Sequence, residues 1–315
     1  MSHAASSKSR FLDDNDLGYA SAKSNTFAIW IVTPSGYSHS QCFDDIAFSL
    51  QVAFRNLGFK APVMNNPKWI SDTTLVLGPN LLPGFPRNLL PPNAVFYNLE
   101  QIYDGSPWLT KEFLALAGQN KLWDYNHINK HAWLKLGVNT DAICEVGFVK
   151  ELQRIEPQKS RDIDVLFVGS LNERRKTILE RLQSEGVSVH WLFNVYGEER
   201  DQIIARAKLL LNFHQHETQI FEIIRVSYLL ANRCCVVSET GCNRDAEQHF
   251  SEGVEFSSYD SLIRVCLSLL ADEDKQENLR HRGYEAIKDF DQTKLLEKAL
   301  LESQLIDETP APNSR

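Results

Sequence analysis

LLLNFHQHETQIFEIIRVSYLLANRCCVVSE, Leu209–Glu239, decides how the chain is read. Two short apolar runs bracket it, Leu209, Leu210, Leu211 and Phe213 at its start and Cys234, Cys235, Val236 and Val237 near its end. Unbroken apolar runs of this length suit parallel strands covered on both faces. The segment between them reads as a helix. Its apolar set, Ile220, Phe221, Ile223, Ile224, Val226, Leu229 and Leu230, wraps most of the cylinder, as in a helix packed inside a protein. Thr218, Glu222 and Arg225 interrupt that set at i, i+4 and i+7, on one helical face, with His214, His216 and Glu217 just before them at the carboxyl end of the first strand. Parallel α/β sheets bind ligands at that edge, where a helix N-terminus offers N–H groups to phosphates. An internal Glu222–Arg225 ion pair that closes the helix surface is the plainer alternative. Two histidines and a second carboxylate at the strand end favour a site.

Outward from this stretch, strand and helix patterns alternate. FAIWIV within Thr26–Thr33 reads as a strand that ends in Pro34, Ser35 and Gly36, and Asp44–Leu57 reads as an amphipathic helix closed by Gly58. Further strands are expected at Thr74–Leu77, Ala94–Tyr97, Lys121–Trp123 and Ala142–Val146, with helices at Leu109–Ala117 and Asn126–Leu136. A polar stretch with Pro157, Glu151–Asp162, reads as a linker. Strands resume at Val165–Val168, Val187–Leu192, Leu209–Phe213 and Cys234–Ser238, and the segment from Ser258 onward is helical, with stripes of Leu262, Val265, Leu269 and Leu270, then Leu295, Leu296 and Leu300. Such alternation implies an α/β chain with doubly wound parallel sheets. The expected organisation is a disordered tail over 1–24, a first domain over 25–150, a linker over 151–162, a second domain with closing helices over 163–303, and a flexible tail over 304–315.

The 315 residues, 43% of them hydrophobic, suffice for two cores. A formal net charge of -8 lacks the basic footprint of nucleic-acid binding. The N-terminal residues have no apolar signal-peptide core, and no window reaches the roughly 18 apolar residues of a membrane span, so a cytoplasmic location is expected. The six cysteines include no C-x-x-C pair and read as reduced core thiols. Cys242 with His249 matches no standard zinc spacing, and hydrogen bonding is the plainer reading of His214 and His216.

VLFVGSLNERRKTILERL at Val165–Leu182, LLNFH at Leu210–His214 followed by IIRVSYLLANRCCVVSE, and the closing section Phe250–Phe290 resemble the second domain of GT-B glycosyltransferases, in the group 1 branch that includes spore-maturation-type (CgeB-like) proteins. The resemblance implies two Rossmann-like domains facing a cleft, a nucleotide-diphosphate sugar as donor substrate, no separate cofactor and a mechanism without an essential metal. Where Arg225 takes the place of the family arginine, Tyr228 stands where the family has a ribose-gripping glutamate.

The residues fit that chemistry. A departing diphosphate needs cations or N–H dipoles aimed at it. Gly169 and Ser170 form a close turn, and Arg174, Arg175 and Lys176 open the next helix, where cations do not complement the dipole and so point to an anion nearby. An ordinary solvated surface is the alternative for at least one of them. Arg225 is the favoured phosphate ligand, Glu222 or Glu217 can accept both ribose hydroxyls, and His214, Ser238 and Glu239 lie at neighbouring strand ends. For the base that activates the acceptor, His39 in the loop Pro34–Gln41 is the first choice, with Glu100 and Asp44 as competitors; Asp44 also suits a helix cap. The acceptor class, whether glycan, protein or small molecule, is open. A non-catalytic sugar-nucleotide or protein-binding module and a GT-B-like epimerase or phosphorylase share the same fold-level features.

Overall fold

The computed structural model describes residues 11–12, 26–66, 71–156, 158, 160–215, 219–242 and 244–307. The tail expected over 1–24 lies outside them except for Phe11 and Leu12, and the tail expected over 304–315 lies outside them after residue 307. The chain folds as two units, one formed by residues up to 145 together with those from 292 onward, the other by 146–291.

The first unit holds β1 (Phe27–Ile31), α1 (Asp44–Asn56), β2 (Val63–Met64), β3 (Thr73–Leu77), β4 (Ala94–Asn98), α2 (Lys111–Ala117), β5 (Lys121–Asp124), α3 (His127–Lys135) and β6 (Ala142–Ile143). Its sheet is parallel, in the order β2-β1-β3-β4-β5-β6. All five residues of β1 are buried, and Trp30, Val76, Phe96 and Leu122 carry one core across successive strands. The second unit holds β7 (Ile163–Val168), α4 (Glu173–Ser184), β8 (Val189–Leu192), α5 (Gly197–Ile204), β9 (Ala207–Asn212), α6 (Ile223–Ala231), β10 (Val236–Glu239), α7 (Arg244–Phe250), β11 (Val254–Ser257), α8 (Leu262–Leu270) and α9 (Glu273–Lys288). Its sheet is also parallel, ordered β11-β10-β9-β7-β8. Side chains alternate across a strand, so Val165, Leu209, Leu211 and Val237 enter one core while Leu166, Leu210 and Val236 enter the other. That is why these strands read as unbroken apolar runs.

Three features differ from expectation. The last helix, α10 (Gln292–Glu302), packs on α1 in the first unit, so the expected closing helices of the second domain divide, with α8 and α9 in the second unit and α10 in the first. Its buried stripe of Leu296, Ala299 and Leu300 explains the placement, and Lys121 Nζ donates to the Ser303 carbonyl at 2.9 Å just beyond the helix. The stretch expected as a linker belongs to the second unit, where Asn232 pins it: its amide oxygen accepts from Arg154 N and Ile155 N at 2.8 and 2.9 Å, and its amide nitrogen donates to the Leu152 carbonyl at 3.0 Å. The helix after β9 begins only at Ile223, with Glu222 at its N-cap position in non-helical backbone (φ -77°, ψ 59°). Glu222 and Arg225 therefore do not share a helical face, and Thr218 and His216 lie outside the described residues. Ile220 and Phe221, both fully buried, extend the apolar pattern through a segment that is not helical.

Candidate functional site

In the second unit the strand order reverses at β7, with β8 on one side and β9 on the other. At such a switch point the loops leaving the carboxyl ends part and open a crevice. Gly169 follows β7 with φ +149°, a conformation that strains any other residue. A Cβ there would lie 3.1 Å from the Phe167 ring and 3.5 Å from the Arg225 guanidinium, so the glycine leaves the backbone open beside that arginine. The Gly169 carbonyl accepts from Trp191 Nε1 at 2.6 Å. Ser170 donates to Gln215 Oε1 at 2.8 Å, tying the loop after β7 to the loop after β9.

Asn172 caps α4, its amide oxygen accepting from Arg175 N at 2.9 Å. Arg175, 1% exposed, is a girder between the two loops: its guanidinium donates to the Phe213 carbonyl at 2.7 Å and the Ser170 carbonyl at 2.9 Å. Burial, then repulsion from Arg225, pushes its pKa down to about 9. Arg174 forms a two-pronged ion pair with the buried carboxylate of Glu239 and lies 3.8 Å over the Tyr259 ring. Glu239 also accepts from His214 N at 3.0 Å.

Asn212, fully buried at the end of β9, organises the centre. It accepts from Arg225 at 3.0 Å and donates to Glu222 at 3.1 Å and to Ser238 Oγ at 2.9 Å. His214 Nδ1 lies 3.2 Å from the Glu222 carboxylate. Burial opposes the imidazolium, but the hydrogen bond and charge of Glu222, then of Glu239, outweigh it, so the His214 pKa is raised. Burial likewise lifts Glu222, but His214, Arg225 and Arg175 overcome it and the net shift is downward. Arg225 is shifted down by burial. Three guanidinium groups thus face two carboxylates, with cationic charge in excess beside the Gly169 turn and the N-terminus of α4, which is suited to a polyanion.

Gly169, Ser170, Arg174, His214, Glu222, Arg225, Ser238 and Glu239 come together at this edge. The carboxylates of Glu222 and Glu239 are engaged by neighbouring protein groups. Lys176 instead pairs with Glu180 on the solvated face of α4 at 3.6 Å. Tyr228 is tied to α5, donating to Asp201 at 2.8 Å beneath the Arg200 guanidinium. Glu217 lies outside the described residues. Sequence reasoning missed Asn212 and the structural role of Arg175; a lone asparagine closing an apolar strand was the available signal. It also passed over Trp191 and Phe193, exposed and stacked 6.2 Å apart beside the end of β8.

In the first unit, Glu100 follows β4, and burial raises its carboxyl to about 7. Its carbonyl accepts from Asn98 Nδ2 at 2.7 Å and Asn129 Nδ2 at 2.8 Å. Both amides also donate to Asp124, a fully buried carboxylate that burial lifts to about 7 against the hydrogen bonds of Asn98, Trp133, Asn126 and Asn129. This network, absent from the sequence reading, fixes Glu100. The Tyr37 phenol is raised by burial and then by Cys42 and Glu100, which places the loop after β1 within charge range of Glu100. His39 lies on that loop, its ring 5.1 Å from Tyr37. Asp44 is the first residue of α1, behind Phe43 at the N-cap, so it adds charge to the helix start rather than occupying the cap position. Among the described residues no group of three or more His, Cys, Asp or Glu is placed to hold a metal, and no helix is long and apolar enough to cross a membrane. Cys144, Cys234, Cys235 and Cys266 are buried free thiols, while Cys42 and Cys242 are exposed.

Residues 148–293 match the family model described as glycosyl transferase-like. An uncharacterised protein of Acanthamoeba polyphaga mimivirus, L137, is 32% identical over 166 residues, which make up 48% of this chain and 21% of that protein. The chain therefore matches only about a fifth of that relative's length. Among solved structures, Anabaena HepE in complex with UDP-glucose superposes with a TM-score of 0.59 at 11% identity, covering 90% of this chain and 100% of that one. WaaG, a glycosyltransferase involved in lipopolysaccharide biosynthesis, gives 0.55 at 13% identity, covering 90% and 100%. The fold is GT-B, and the family match coincides with the second unit.

Proposed function

We propose that the chain is a glycosyltransferase that moves a sugar from a nucleotide-diphosphate sugar to an acceptor. The observation that carries this reading is Arg225, an enclosed guanidinium set against the open backbone of Gly169 in a cluster with excess positive charge. The diphosphate binds there, and its growing negative charge on departure is met by Arg225 and the amides at the start of α4. Asn212, Glu222 and His214 hold Arg225 in place, while Arg174 and Arg175 brace the loops. Trp191 and Phe193 offer a flat apolar face to the nucleobase. The UDP-glucose in HepE makes a uridine donor the first to try. Glu100 is the favoured base for the acceptor's proton, with His39 and Asp44 as the other candidates.

The first experiment is a thermal-stability screen of nucleoside diphosphates and their sugars, since a ligand at about a hundred times its dissociation constant stabilises by roughly 2.7 kcal/mol. In calorimetric titration with the diphosphate that responds, Arg225→Gln weakens binding by about 1.5–3 kcal/mol, roughly ten- to a hundredfold. Unchanged affinity returns Arg225 to a structural role. With arginines meeting the phosphate charge, transfer proceeds without an essential metal, and turnover unchanged by EDTA is the check. The engagement of Tyr228 by Asp201 supports one other reading, a module that binds nucleotide sugars and transfers nothing; release of free nucleoside diphosphate in the presence of acceptors excludes it.

A further inference from the structure

The opposite edge of the second sheet carries a feature that sugar transfer does not use. A cavity of about 120 Å³ opens by the amino-terminal ends of β7, β9 and β10, with Arg161, Arg233, Arg280, Glu277 and Cys234 on its wall. A strand rises about 3.3 Å per residue, so the six residues of β7 put this cavity roughly 20 Å from Gly169.

Its charges do not balance. Arg280, 6% exposed, is fixed by donation to the Lys208 carbonyl at 2.9 Å, to Gln276 at 3.2 Å and to Glu277 at 3.3 Å. Arg161, half-buried ahead of β7, makes no hydrogen bond or ion pair among the described residues; burial and then the charge of Arg280 push its pKa down, with Glu277 opposing. Arg233 is held in left-handed backbone (φ +53°) with its guanidinium 3.8 Å over the Tyr284 ring. Burial pushes the Cys234 thiol up to about 12, so it adds no negative charge at neutral pH. Three guanidinium groups against one carboxylate leave an excess of two positive charges. Of the three, Arg280 is buried, Arg161 half-buried and Arg233 exposed at the mouth, so an anion that enters relieves the repulsion between Arg161 and Arg280 and meets Arg233 from the solvent side. The volume equals that of about four waters at roughly 30 Å³ each, enough for one tetrahedral oxyanion, whose oxygens match the guanidinium fork. Phosphate as the dianion also cancels the excess.

We infer that this cavity binds a doubly charged phosphoryl group through Arg161, Arg233 and Arg280, at the sheet edge remote from the nucleotide site. The test is thermal unfolding in inorganic phosphate against chloride of matched ionic strength, repeated with glycerol phosphate as a phosphomonoester. It is run on the wild type and on Arg161→Gln, Arg233→Gln and Arg225→Gln. Phosphate raises the midpoints of the wild type and of Arg225→Gln by a few degrees, and Arg161→Gln loses most of the shift. Arg233→Gln gives the same loss and decides the matter where Arg161→Gln does not fold. A response to the inorganic ion alone assigns free phosphate, and an equal response to glycerol phosphate assigns an ester. A shift retained in Arg161→Gln and Arg233→Gln, lost in Arg225→Gln, or absent from the wild type overturns the site.

Discussion

Burial turns Glu100 from an ordinary carboxylate into a group that exchanges protons near neutrality. Its pKa lies at about 7 rather than 4.5, so below that pH it is protonated and cannot accept the acceptor's proton. With Glu100 as the base, kcat/KM falls about tenfold per pH unit on the acid side of pH 7 and levels off above it. A pH profile of Glu100→Gln then shows a slow rate without that limb; a limb that survives the substitution assigns it to another group. This property was not legible in the sequence, because it comes from burial, which the packing of separate elements produces and a lone glutamate after a strand does not announce. Arg225 and Gly169 were legible: a cation that breaks an apolar helical pattern and a glycine that ends a strand keep their meaning in the fold. Glu222 joins the Arg225 cluster by contacts that the sequence did not indicate. The buried Ile220 and Phe221 imitate a helix turn that does not form, and the carboxylate turns to His214 and Asn212.

At the scale of elements, the strands were readable because strands covered on both faces are apolar along their whole length. The two that escaped notice, β2 and β11, lie at sheet edges, and β2 is two residues long. The start of α4 is set by one residue. Replacing Asn172 with Ala removes the cap on Arg175 N and costs about 1 kcal/mol in chemical denaturation, while Asn172→Asp retains it. The same Ala variant weakens nucleotide binding, because Arg175 ties this helix to the loop after β9. An Ala variant of unchanged stability means that water replaces the cap.

For the whole molecule, alternation of strands and helices announced two α/β layers but not where the last helix packs, since an apolar stripe does not name its partner. Leu300, fully buried in α10, belongs to the first unit. Leu300→Ala therefore destabilises that unit by about 2–5 kcal/mol. Tryptophan fluorescence is a selective probe, because Trp30, Trp108, Trp123 and Trp133 lie in the first unit and the exposed Trp191 in the second. Denaturation followed by fluorescence shifts to lower denaturant; a transition that stays in place removes α10 from the stability of the first unit.

The place of α10 also sets an order of events on the ribosome. The second unit is a continuous insertion, whereas the first waits for its last piece until residues 146–291 have been made. At about 5–20 residues per second that delay lasts roughly 7 to 30 seconds. Through it the surface of α1 that meets α10 stays uncovered, a nascent-chain face for a chaperone to shield.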